Sequence, residues 1–149
     1  MKMRITATLF AVFLLTLAAC VAQRTIESMK AEADAAQGGL RAKLYAQLAE
    51  ALVGVANQQF SQDDDQSGQA TVQDILKYSA QAREVCLRTR EKMKETEIIM
   101  RSTQRKLESL KHTLGVDDRP PVDKVEKQLE QFRQDILDAM FAPPKKEKK

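Results

Sequence analysis

The chain has 149 residues, with 24 Lys and Arg against 21 Asp and Glu, one His, two Cys and no Trp. That length allows one domain, and the formal charge of +3 comes from the two ends: without Lys2 and Arg4 it falls to +1, and Lys145–Lys149 alone carries +3, which leaves residues 20–144 at −2. An acidic body with 5% aromatics has neither the basic footprint nor the stacking platforms of a nucleic-acid binder.

Residues 1–4 are basic, and Ile5–Ala19 is an uncharged apolar run of 15 residues. That is short for a membrane span and fits the hydrophobic part of a secretory leader. The run ends in Leu17-Ala18-Ala19-Cys20, which resembles the lipobox of bacterial lipoproteins. The resemblance implies an acylated Cys20 at the start of the mature chain and a body anchored to a lipid membrane, periplasmic or on the cell surface. Cys20-Val21-Ala22 also fits ordinary cleavage after Ala22, which would release a soluble secreted protein. Both outcomes export the chain and leave Cys86 without an intramolecular partner, so no disulfide framework is expected.

Residues 20–39 read as a tether or short helix with Ile26, Met29, Ala33 and Ala36 at helical spacing, closed by Gly38-Gly39. The helical domain is expected over 40–141, with helices at about 40–60, 70–114 and 122–141. Leu44, Leu48, Leu52, Val55 and Gln59 stripe the first, which contains one weak point, Gly54, read as a place of close helix approach. Residues 61–69 have loop composition.

The stretch 70–114 contains no Gly or Pro and keeps one seven-residue pattern. Val72, Ser79, Cys86, Met93, Met100, Leu107 and Leu114 fall at a, and Ile75, Ala82, Thr89, Thr96, Thr103 and Leu110 at d. A continuous helix there would be a rod of about 67 Å. Folding the flanking helices back places Phe60 near Ala70, Leu40 near Arg90, Val122 near Leu114 and Phe141 near Glu95. The expected fold is therefore all-α, an elongated N-shaped arrangement of antiparallel hairpins around one central helix. The alternative is a compact four-helix bundle, made by a break near Thr89–Thr96 where the seam is thin in large apolar residues. Asp117-Asp118-Arg119-Pro120-Pro121 suits the start of the last helix, and 142–149 reads as a disordered basic tail.

Three features carry candidate functions. Leu76, Ala80, Leu87 and Ile98 trace a second stripe, a surface for self-association or for an envelope protein partner. Residues 63–74 are similar to an EF-hand loop, which implies Ca²⁺ ligands from Asp63, Asp65, Ser67, Gln69, Thr71 and Asp74. The loop departs from that pattern in having Asp at its twelfth position, Ala at its eighth, and no paired second loop. Lys149, after a lipobox and heptads, resembles in architecture the major outer-membrane lipoprotein family, whose terminal Lys joins the cell wall. No nucleophile motif accompanies His112, and no Glu-x-x-His pair, Cys-x-x-Cys-His or phosphate-binding glycine loop occurs. The expectation is an exported scaffold, accessory or chaperone-like binder, not an enzyme, with no small-molecule substrate evident.

Overall fold

The computed structural model describes residues 26–142; the leader, Cys20 and the tail from 143 to Lys149 lie outside them. The fold is all-α. Helix α1 covers residues 26–35, and α2 (Gly38–Ser61), α3 (Asp65–Thr89), α4 (Met93–Thr113) and α5 (Arg119–Phe141) follow. No strand occurs among the described residues.

The seam positions form the core as their spacing requires. Every a and d residue from Val72 to Leu114 is buried except Thr89, which is half-buried. Val122, Val125, Leu129 and Ile136 bring the seam of α5 to the same core, and α2 contributes Tyr45, Leu48, Leu52, Ala56 and Phe60. Burying a side chain such as Leu48 stabilises the fold by about 2 kcal/mol. The last helix starts at Arg119 with Pro120 and Pro121 in its first turn, where the missing N–H groups have no helical acceptor to lose.

The two hairpins have the expected register. Thr71 Oγ1 meets Gln59 Oε1 at 2.6 Å across the α2–α3 turn, and Glu91 meets Gly39 at the other end. Lys111 pairs with Asp123 and Glu126 beside the α4–α5 turn, and Arg133 with Glu97 farther along. The central rod is broken, however. Arg90 (φ 58°) and Lys92 (φ 53°) adopt left-handed backbone, and the chain reverses between Thr89 and Met93. The continuous 70–114 helix is thereby corrected in favour of the compact bundle. The hairpins lie against each other, α2 along α4 and α3 along α5, so neighbours across that interface run parallel. The α3–α4 link crosses the bundle diagonal.

The break is made from a distance. Thr89-Arg90-Glu91-Lys92-Met93 contains no helix breaker, and each left-handed non-glycine residue costs about 1 kcal/mol. Glu91 offsets this by capping another helix. Its Oε2 accepts the Gly39 N–H at 2.7 Å, at the start of α2, where Gln37 supplies no side-chain cap. Gly38-Gly39 therefore opens α2 and allows this approach. A Cβ on Gly39 would lie 2.5 Å from Glu91 Cβ, and one on Gly38, itself at φ 58°, would lie 2.6 Å from Glu91 Oε2.

Helix α1 returns over the α2–α3 pair. Ala33 is fully buried, and Asp34 accepts from the Tyr45 hydroxyl at 2.7 Å beside the stacked Tyr45 and Tyr78 rings. The Lys30 ion pair and the Tyr45 hydrogen bond hold the Asp34 carboxyl below its ordinary range.

Candidate functional site

The largest concavity is a groove of about 560 Å³ between the parallel helices α2 and α4. Its floor is Ala51, Val53, Gly54 and Leu110, and its rim carries Asn57, Ser102, Arg105 and Lys106. Gly54 does not mark a close approach, since nothing lies within 4 Å of the place its Cβ would occupy; it widens the groove. Glu50 closes one end, accepting from the Ser102 hydroxyl at 2.6 Å and pairing with Lys106 at 2.9 Å. Burial raises the Glu50 pKa, but the bonds from Ser102 and Lys106 outweigh it and leave the carboxyl below its ordinary value. The volume falls in the range of small-ligand and peptide sites, and small apolar residues inside a rim of both charges suit an amphipathic guest. The sequence offered one sign of this groove, the glycine inside an otherwise strong helix.

The stripe of Leu76, Ala80, Leu87 and Ile98 is not one surface. The break assigns Leu76, Ala80 and Leu87 to α3 and Ile98 to α4, which runs the other way. Leu76 and Leu87 pack partly buried against the core, while Ile98 is 49% exposed.

Residues 63–74 also take another form. The helix starts at Asp65, so Ser67, Gln69, Thr71 and Asp74 lie on α3 and do not wrap a cation as a calcium loop does. Asp64 caps this helix by accepting the Ser67 N–H at 3.2 Å. Gln69 donates to Asp118 at 2.9 Å, and Thr71 is bound to Gln59. Among the described residues no group of three His, Cys, Asp or Glu converges as a metal cage. Asp65 is raised above the ordinary carboxylate range by burial and by crowding from Asp118, Asp63 and Asp64. The span expected as a loop over 61–69 shrinks to Gln62–Asp64, with Asp63 left-handed at φ 58°.

Two clusters were not legible as such. Glu97, 3% exposed, lies between two arginines: Arg101 Nη2 donates at 2.7 Å and Arg133 Nη2 at 3.0 Å. Arg133 reaches on to Gln104 Oε1 at 2.6 Å and so joins α5 to α4. A lone glutamate at an e position gives no warning of burial. The second cluster is polar seam: Ser79, Cys86 and Thr96 are fully buried, and Ser79 Oγ and Thr96 Oγ1 have no hydrogen-bond partner. Burial pushes the Cys86 thiol up, which keeps it protonated and unreactive. His112 and Glu108 are both exposed on the last turns of α4.

Compared with known protein families, curated proteins and solved structures, the chain has no match.

Proposed function

We propose that the chain is an exported helical binding protein of the cell envelope, anchored to a membrane through an acylated Cys20. The carrying observation is the leader, a basic start and an uncharged run of 15 residues ending in Leu17-Ala18-Ala19-Cys20. A helical body beginning by residue 26 supports the reading, since it leaves only a short spacer after that cysteine. No described helix is long and apolar enough to cross a membrane, so acyl chains would supply the attachment. Acyl burial contributes about 0.8 kcal/mol per methylene, and a stable anchor needs more than one chain.

In this reading the body works by contact, as a scaffold or accessory subunit. The α2–α4 groove is the surface best suited to receive a segment of an envelope partner, because it joins an apolar floor to fixed charges on one face. Palmitate labelling with membrane fractionation in an exporting bacterial host tests the anchor. The wild-type chain should take up label and sediment with membranes, and Cys20→Ser should do neither. An unlabelled soluble chain whose mass starts at Gln23 would replace the anchored reading with simple secretion.

A further inference from the structure

The α3–α4 turn holds two left-handed residues where nothing in its own sequence asks for them. Neither Arg90 nor Lys92 is a glycine or an asparagine, and the residues around them are good helix formers. The seven-residue pattern also passes through the turn unshifted: Cys86 to Met93 and Thr89 to Thr96 are each one repeat apart. If residues 89–93 became helical, α3 and α4 would join with their buried positions on one face.

Straightening would pull the α4–α5 hairpin off the α2–α3 hairpin and uncover both inner faces. These faces already fit each other. Arg83 pairs with Asp135 at 2.5 Å, Ser102 with Glu50, and Gln69 with Asp118 across the interface. The α4–α5 hairpin of a second copy presents the same partners in the same arrangement, so the inter-hairpin contacts can be rebuilt between two chains. Only the turn's own contacts are lost, the Glu91 cap on Gly39 and the Arg90 bond to the Ala139 carbonyl. Two left-handed residues per chain are relieved in return. Short links held in unfavourable backbone are the usual route to exchanged dimers. The seam beside the turn resists parting weakly, because Cys86 and Thr96 offer little apolar surface there and the Thr96 hydroxyl is unpartnered.

We infer that this chain forms a dimer by exchanging its α4–α5 hairpins through a straightened α3–α4 helix, with residues 90–92 as the hinge. The partner is a second copy of the chain, and the inference holds whether or not Cys20 is acylated.

The test uses two differently tagged full-length chains, one with Arg83→Cys and the other with Asp135→Cys, co-expressed, extracted in detergent and treated with a short bis-maleimide. Within one closed bundle these residues belong to the same chain, so a product carrying both tags requires α3 of one copy to sit on α5 of another. That product should form in the otherwise wild-type pair. Arg90→Gly with Lys92→Gly, which removes the left-handed penalty from the closed turn, should lower its yield by about tenfold. Gly39→Ala, whose Cβ would collide with Glu91, should raise it. If Gly39→Ala fails to fold, the glycine pair still decides. No doubly tagged product from helical protein, or a yield indifferent to the hinge substitutions, overturns the inference.

Discussion

Replacing Arg133 by Met isolates the largest buried charge in the bundle. Glu97 is 4% exposed at its side chain and Arg133 14%, and Arg133 supplies two of the four N–H bonds that reach the Glu97 carboxylate. Removing one member of a buried pair typically costs 3–5 kcal/mol, because the other charge stays out of water without compensation. Arg101 remains on the carboxylate at 2.7 Å, but it is 44% exposed and shares its charge with solvent. About 3 kcal/mol is therefore expected for Arg133→Met, or roughly 10 °C in Tm for a domain of this size. Urea unfolding followed by circular dichroism at 222 nm measures it. Glu97→Leu combined with Arg133→Met should return to within about 1 kcal/mol of wild type, since no buried charge is left unpaired. A loss below about 1 kcal/mol in the single variant, or a double variant worse than the sum of the singles, would refute the buried-pair reasoning.

Gly54→Ala should stabilise by about 1 kcal/mol, because the position is mid-helix with free space around it. Gly68→Ala should do the reverse despite an identical helical gain, since its Cβ would lie 2.8 Å from the Phe60 ring; thermal melts of both give the two signs. The Glu50 carboxyl is held below its ordinary value, so its stabilisation is full at neutral pH and disappears as pH falls through the lowered value. Glu50→Gln should thus be less stable than wild type at pH 7 and equal to it in acid, as read from urea midpoints across pH. Asp65 is shifted upward, so its charge opposes folding above the carboxylate range. Asp65→Asn should raise the Tm at pH 7, and that gain should vanish once both carboxyls would be protonated. Leu87→Glu should destabilise the bundle while Ile98→Glu leaves its Tm unchanged, because only the former packs against the core.

The seven-residue pattern of 70–114 was legible down to single residues: thirteen positions were assigned to the seam, and only Thr89 is not fully buried. Hairpin register followed from helix lengths alone. The break was not legible locally, because the residues that permit it, Gly38 and Gly39, lie about fifty positions away from the turn they accommodate. A glycine pair before a helical run reads as a stop signal, and only the approach of Glu91 gives it its meaning. The acidic stretch 63–65 misled for a related reason. A carboxylate that caps a helix and one that binds calcium look alike in sequence, and the backbone direction after Asp64 decides between them. The second stripe failed because its periodicity was extended through a chain reversal. The groove depends on α2 lying parallel to α4, a relation set by the diagonal link and by no single segment.

The path of α1 back over the Tyr45–Tyr78 pair fixes where the two ends of the body point. Ile26 lies toward the α2–α3 turn, whereas Phe141 finishes beside the α3–α4 turn, one helix length of about 35 Å away. A body held at its N-terminal side would then stand upright from the bilayer and release its lysine-rich tail at the far pole. Such a tail is aimed across the compartment, toward wall polymer or an opposing layer, and away from the headgroups of its own leaflet.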